Sequence, residues 1–129
     1  MAFTRSELNY LASQQLGRLA TVQPDGTLQA NPVGFSYNPG LGTIDITGYA
    51  LAGSRKYRNV ADNGRVAFVV DDVVSIQPLR VRCVEIRGRG EAVRADEASL
   101  PSTAAGIDGA LIRIHPERII SFGIDSPAP

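Results

Sequence analysis

The first stretch of the chain repeats apolar residues at helical spacing. Its capping-box pair and its apolar stripe are formed by Thr4, Glu7, Leu8, Leu11 and Ala12. A capping box followed by such a stripe marks the start of an amphipathic helix, and a glycine commonly marks its end. The pattern therefore predicts a helix over residues 4–16 that stops at Gly17.

Most of the remaining chain alternates apolar and polar residues with the period of strands. The predicted strands cover residues 18–23, 27–37, 43–48, 65–72, 80–93 and 110–124. The Pro-Asp-Gly run at residues 24–26 suits a hairpin turn, and Pro116 is expected to interrupt the last strand. Loops are expected at residues 71–79 and, where small and polar residues are broken by Gly and Pro, at residues 95–109. Hairpin runs without regular βαβ alternation predict a mainly β or α+β domain, a six-stranded antiparallel barrel with two or more short helices.

Basic side chains crowd the start of a second predicted helix, over residues 54–63. Its sheet-facing side chains are expected to be Tyr57, Val60 and Ala61, and its outward ones Arg55, Arg58, Asn59 and Asp62. With Ser54 as N-cap, free backbone N–H groups and the positive end of the helix dipole point outward. Arg55 adds a planar fork that grips a phosphate at two points, and Lys56 adds a compact charge. These features predict a local anion site.

A solvated helix face is the alternative interpretation of the same cations. In that case Arg55 and Lys56 would pair with Asp62 or Asp45 and hold no ligand. Charge alone does not decide between the two interpretations.

Composition limits the classes of function open to the chain. Thirteen basic and thirteen acidic residues cancel, so no field of one sign draws the surface to nucleic acid or to an anionic membrane. Cys83 is the single cysteine, which excludes an internal disulfide and a cysteine-built metal site. The chain has no signal-peptide run and no stretch of about 20 apolar residues. We expect one cytoplasmic domain over residues 1–129, with no nucleic-acid or membrane partner.

Five blocks of the sequence occur in an order that is itself informative. They are "LGRLATVQPDGTLQANPVGF", "GSRKYRNV", "NGRVAFVVDD", "RCVEIRGRGEAV" and "IRIHPERIISFG". In this order they resemble the pyridoxamine 5'-phosphate oxidase-like split β-barrel flavoproteins, over roughly residues 4–124. The chain looks most like the short actinobacterial members that are regarded as dependent on coenzyme F-420, a deazaflavin, with FMN as the alternative cofactor. The resemblance implies an oxidoreductase that passes a hydride to a conjugated organic acceptor.

The resemblance also assigns site residues position by position. In that family the Arg and Lys of the "SRK" segment hold the cofactor phosphate, which here are Arg55 and Lys56, assisted by Ser54 and Asn59. The other implied cofactor contacts are Asn31, Pro32 and Val33 beneath the ring, Thr47 and Gly48 beside it, and Arg82 and Phe122 from a second subunit. The family builds each site across a homodimer, so the expected partners are a second copy and a small-molecule acceptor. No catalytic residue and no metal ligand is assigned.

Departures from the family pattern bear on the alternatives. Cys83 and Phe122 stand where the family often has Gln and Trp, so a hydrogen bond from that amide or indole is lost, whereas stacking at Phe122 is retained. The chain ends "GIDSPAP" without the extension that true pyridoxamine phosphate oxidases use on their substrate, so we expect no vitamin B6 oxidation. A non-catalytic protein that stores a flavin or binds a tetrapyrrole is a second interpretation, because its binding residues would look alike.

Two residues with reactive side chains are interpreted as structural. His115 lies beside Pro116 without neighbours at metal-ligand spacing, and Cys83 lies in an apolar stretch of strand. A bound flavin or deazaflavin brings its own redox chemistry, so no acid–base dyad is required. The proton that completes a hydride transfer is expected from solvent or from a hydroxyl such as that of Tyr37 or Tyr49.

Overall fold

The computed structural model describes residues 2–94 and 108–125. Its helices are α1 (Arg5–Ala12) and α2 (Arg55–Asn63), and a short 3-10 turn, Leu51–Gly53, leads into α2. Its strands are β1 (Leu16–Val22), β2 (Leu28–Gly34), β3 (Ser36–Asn38), β4 (Thr43–Ile46), β5 (Arg65–Ile76), β6 (Leu79–Val93) and β7 (Leu111–Phe122). Within the described ranges, neither helix has the length and apolarity needed to cross a bilayer. The loop predicted at residues 95–109 lies outside the described residues except for its last two positions.

The strands form one antiparallel sheet that is curled into a barrel. Their order across the sheet is β2-β1-β5-β6-β7-β4-β3. β2 and β3 lie at opposite edges of this sheet, although Phe35 alone separates them in the chain. A single residue can join both edges only if the sheet curls back on itself. The predicted antiparallel barrel is confirmed, and the break at Phe35 divides the strand predicted over residues 27–37, which makes the strands seven rather than six.

Alternate side chains of the strands fill the inside of the curl. The fully buried strand residues include Leu19, Phe68, Val84, Ile86, Ile112 and Ile114. The helices contribute Tyr10 and Leu11 from α1, and Tyr57 and Val60 from α2. Each helix is therefore held to the sheet by its apolar stripe, and α2 packs against β1 and β6.

α1 begins where the sequence predicts but ends earlier. Thr4 Oγ1 accepts the backbone N–H of Glu7 at 3.1 Å, and the Glu7 carboxylate accepts the backbone N–H of Thr4 at 2.8 Å, which confirms the capping box. The helix ends at Ala12, and Gly17 lies inside β1. A Cβ at Gly17 would lie 2.2 Å from the Phe68 ring. Close packing against that ring, and not helix termination, explains this glycine.

β5 and β6 form a hairpin that is longer than predicted. β5 continues to Ile76 and β6 begins at Leu79, so the expectation of a loop at residues 71–79 is wrong. The two strands stay paired to the end of the hairpin, where Ile76 lies opposite Leu79. Both side chains are well exposed at this tip.

β7 continues through Pro116 where the sequence predicts an interruption. The β6–β7 register shifts between Arg87 and Gly88, and Glu117 is left without a partner across the ladder. Proline is tolerated at such a bulge because the ladder there does not need its missing N–H. A Cβ at Gly88 would lie 2.2 Å from the carbonyl oxygen of His115, so this glycine permits the close approach of the strands.

A polar cluster ties α1 to the long hairpin. The Arg82 guanidinium binds both carboxylate oxygens of Asp72, with its Nε 2.9 Å from Oδ1, and lies over the Tyr10 ring at 5.0 Å from the centroid. The Tyr10 hydroxyl donates to the same carboxylate at 2.8 Å. The hydrogen bonds from Arg82 hold the pKa of Asp72 below its usual value, and burial raises the pKa of Tyr10. The cluster is a charge-assisted contact between elements that are far apart in the chain.

Replacement of Gly17 by alanine tests its packing role. The added methyl group collides with a buried ring, so the free energy of unfolding should fall by about 1–3 kcal/mol. Gly34→Ala is the matched control, because Gly34 also lies in a strand and a Cβ there meets no atom within 4 Å. Urea unfolding followed by circular dichroism measures both variants. Equal losses of stability would contradict the packing explanation.

Replacement of Asp72 by asparagine tests the polar cluster through its pH dependence. The folded-state pKa of Asp72 lies below its unfolded value, so its charge stabilises the fold above about pH 4 and this stabilisation is lost as the pH falls through the folded pKa. Asp72→Asn should cost about 1–3 kcal/mol at neutral pH and much less at pH of about 2. Asp71→Asn, which breaks only the exposed Asp71–Arg18 pair, is the control. A constant Asp72→Asn deficit across this pH range would refute the linkage.

Candidate functional site

The start of α2 is fixed by hydrogen bonds on both sides of its N-cap. The Ser54 hydroxyl oxygen accepts the backbone N–H of Tyr57 at 3.2 Å, and its O–H donates to the Leu51 carbonyl at 2.7 Å. The Arg58 guanidinium donates to the Gly53 carbonyl at 2.9 Å. The predicted N-cap is confirmed, and the first backbone N–H groups of the helix remain available to an anion.

Two cations stand at this helix end, and together with Ser54 they form what we call the anion seat. Arg55 is exposed, and its guanidinium donates to the neutral side-chain oxygen of Gln23 at 2.9 Å. Lys56 is partly buried, and its ammonium makes no hydrogen bond or ion pair with another described residue. A partly buried ammonium without a partner favours an anion beside it, because the charge has lost part of its hydration.

The carboxylates of the alternative interpretation are engaged elsewhere. Asp45 pairs with Arg113, with 3.2 Å between Oδ1 and Nε. Asp62 accepts a hydrogen bond from the Asn63 side chain at 3.2 Å. Neither of these carboxylates occupies the anion seat, so the structure favours a ligand site over a self-paired helix face.

Asn59 lies on the sheet side of α2, so its predicted outward orientation is wrong. The residue is 2% exposed, and its amide nitrogen donates to Thr21 Oγ1 at 3.0 Å and to Gln29 Oε1 at 3.2 Å. Thr21 belongs to β1 and Gln29 to β2. One side chain therefore ties the helix to two strands, and this geometry gives no support to its predicted contact with a phosphate.

β2 divides its three predicted ring contacts between two faces. Asn31 and Val33 share the inward face with Gln29, whereas Pro32 is exposed on the other face. Residues two apart on one face lie about 7 Å from each other, so Asn31 is close to the strand position that contacts α2. The side-chain oxygen of Asn31 is buried and has no hydrogen-bond partner among the described residues. A buried acceptor of this kind favours a bound group that donates an N–H.

The remaining predicted contacts lie at the margins of the fold. Thr47 and Gly48 connect β4 to the 3-10 turn before α2, and a Cβ at Gly48 would meet no atom within 4 Å. Phe122 ends β7 with 56% of its surface exposed, which leaves its ring free to contact another molecule. Arg82 is engaged with Asp72 inside its own chain, so the geometry does not support its predicted cofactor contact.

The two reactive side chains occupy structural positions. Cys83 is buried, and burial raises the pKa of its thiol, which disfavours the nucleophilic thiolate. His115 Nε2 lies 2.9 Å from a carboxylate oxygen of Glu91 on the neighbouring strand. Over residues 2–94 and 108–125, no three or more His, Cys, Asp or Glu side chains are grouped to hold a metal ion.

Comparisons with known proteins agree with this geometry. A family model described as pyridoxamine 5'-phosphate oxidase matches residues 4–122. A Streptomyces rimosus protein named 5a,11a-dehydrotetracycline/5a,11a-dehydrooxytetracycline reductase is 46% identical over 125 residues, which are 97% of this chain and 86% of the relative. A solved F420 reductase is 28% identical with a TM-score of 0.61, over 82% of this chain and 89% of that chain. A conserved hypothetical protein of Mycobacterium tuberculosis has a TM-score of 0.73 at 20% identity, over 97% of this chain and 88% of that chain.

The family match spans almost the whole described fold, from the capping box of α1 to the end of β7. The same range includes the anion seat and the inward face of β2. The chain belongs to the pyridoxamine 5'-phosphate oxidase family of split β-barrel proteins.

Proposed function

We propose that this protein is an oxidoreductase that uses coenzyme F-420, in preference to FMN, to reduce a conjugated organic acceptor. Membership of the family and 46% identity to a protein named as a dehydrotetracycline reductase support a reductase. The likeness to a solved F420 reductase favours the deazaflavin over FMN. The observation that carries the proposal is the unpaired, partly buried Lys56 ammonium at the start of α2.

The anion seat fits the phosphate of such a cofactor. Lys56 supplies a charge that has no competing carboxylate among the described residues, and Arg55 needs to give up only a neutral partner, Gln23. The Ser54 hydroxyl is already used to hold the helix end, so its contribution is to fix the backbone N–H groups in place. Two charge-assisted contacts and a helix dipole then act on one dianionic group.

The ring of the cofactor is assigned to the inward side of β2. The orphaned Asn31 oxygen would accept an N–H of the ring, and Thr47 and Gly48 would line its side. A bound reduced deazaflavin supplies a hydride to the acceptor. The chain's own residues then need only hold the phosphate, orient the ring and leave one face of it open.

The acceptor is expected to be a conjugated, polycyclic molecule. A hydride adds to one carbon of a conjugated double bond, and a proton adds to the other end of the conjugated system. Tyr49 is 73% exposed and Tyr37 packs edge-on against Phe3 at 5.5 Å between ring centroids. Tyr49 therefore competes with solvent as a proton source on better terms than Tyr37.

We further propose that the site is completed by a second copy of the chain. The exposed Phe122 ring at the end of β7 is the residue that would reach the partner's cofactor ring. A homodimer with two equivalent sites is the simplest closed assembly that shares residues in this way.

Lys56→Ala tests the anion seat. Loss of one charge-assisted phosphate contact should weaken F-420 binding by about 10- to 100-fold, while the unfolding midpoint stays unchanged because the ammonium has no partner in the protein. Fluorescence quenching of oxidised F-420 and absorbance titration of FMN measure the two affinities. Lys56→Arg should retain most of the affinity, and Arg5→Ala, which removes a charge from α1, should retain all of it.

The same variants test the proposed reaction. Wild-type protein should oxidise reduced F-420 when a conjugated polycyclic ketone is present, and Lys56→Ala should do so only at a higher cofactor concentration. Tight FMN binding without F-420 binding would replace the preferred cofactor by the alternative. Tight binding of either cofactor without turnover of any acceptor would favour a storage protein over an enzyme.

A mixture of two defective variants tests the shared site. If Lys56 and Phe122 of different subunits serve one cofactor, mixing Lys56→Ala with Phe122→Ala creates heterodimers with one intact site. Random exchange of subunits should then restore about a quarter of the wild-type activity. Activity of the mixture that only averages the two variants would show that each site lies within one chain.

A further inference from the structure

A second concave surface lies on the outer face of the sheet, beyond the C-terminal end of α2. Its volume is about 560 Å³, within the usual range for small-molecule pockets. Its floor is formed by the small or apolar side chains Ala20, Val22, Leu28 and Ala67. The anion seat is at the other end of α2, eight residues or about 12 Å away along the helix axis. This surface is therefore separate from the proposed phosphate site.

Two arginines face each other across the rim of this surface. Arg65 on β5 is the direct antiparallel partner of Arg89 on β6, and both side chains are exposed and line the surface. Directly opposed residues have Cβ atoms about 5 Å apart, and like charges in such positions repel each other. The pairing weakens the ladder, so it calls for a compensating negative charge.

The described part of the chain does not supply that charge. Neither guanidinium of the Arg65–Arg89 pair has a hydrogen bond or an ion pair with another described residue. Arg87, which also lines the surface, is already paired with Glu85 at 2.9 Å. Glu117 is the one carboxylate among the described lining residues, and it pairs with neither arginine.

We propose that this surface, the arginine cavity, binds a small organic anion with an apolar body. The apolar floor receives the body, and the opposed guanidiniums of Arg65 and Arg89 hold a carboxylate or a similar planar anionic group between them. Guanidinium forks match the geometry of a carboxylate, and a shared anion removes the repulsion between the two arginines. The inference does not depend on which cofactor the anion seat holds.

The features of the cavity favour a small molecule over other anions. A nucleic-acid backbone needs a continuous basic surface, whereas here two free guanidiniums border an apolar floor and one free carboxylate, Glu117. An acidic segment of a second copy would find the same two arginines, and this occupant is distinguished below by the oligomeric state.

Nuclear magnetic resonance titration with naphthoate tests the proposal. Naphthoate should shift the backbone amide signals of Ala20, Gly64, Ala67 and Gly88, which line the cavity, in a saturable manner. Naphthamide has the same apolar body without the charge and should bind at least about tenfold more weakly. Equal shifts with both probes, or shifts spread over the whole surface, would overturn the assignment of an anion site.

Matched charge removals complete the test. Arg65→Gln combined with Arg89→Gln should lower naphthoate affinity by about tenfold or more, and Arg118→Gln should leave it unchanged, because Arg118 lies on the neighbouring strand outside the cavity. Arg89→Gln alone should weaken binding while the urea midpoint of the free protein stays equal or rises, since a repulsion is removed. A lower midpoint would indicate a structural role and overturn the proposal.

Sedimentation of the same variants identifies the competing occupant. Wild type and the double variant should show the same oligomeric state, because the cavity is proposed to hold a ligand. A double variant that dissociates, in a protein that does not bind naphthoate, would show that the arginines contact a second copy.

Discussion

The geometry of the anion seat depends on the buried amide of Asn59. This side chain donates to Thr21 and Gln29 at once, so it fixes both the distance of α2 from the sheet and the rotation of the helix about its axis. The Tyr57 hydroxyl adds a bond to the Val93 carbonyl at 3.1 Å from the same helix face. Because these donors and acceptors are buried, they would be costly to separate. The outward direction of the Lys56 ammonium follows from this anchoring.

Local signals were sufficient to predict where elements begin and which face of each strand is apolar. The capping box at Thr4 and the N-cap at Ser54 act within one helical turn, so the sequence shows them directly. The ends of elements were predicted less well, because they depend on distant contacts. Gly17 accommodates a ring from β5, and Pro116 is accommodated by a register shift against Gly88. A single sequence without pairing information contains neither contact.

The same division applies to the candidate site. Arg55 and Lys56 could be identified because they are adjacent to their N-cap, and the structure keeps both clear of carboxylates. Asn59 was placed on the wrong face because its partners lie 30 and 38 residues away in the chain. The opposition of Arg65 and Arg89 was also missed. The charge alternation of β6 was visible, but only the strand register brings the two guanidiniums together.

The two edges of the sheet are held together by covalent bonds at Phe35 and not by a ladder of hydrogen bonds. The Phe35 ring packs against Phe68 with 5.2 Å between centroids, so an apolar contact fills the seam. A barrel closed in this way has a girth that varies with the torsions of a single residue. It can widen beside β2 without breaking any interstrand pair, whereas a fully laddered barrel would have to give up several backbone bonds to admit a planar molecule.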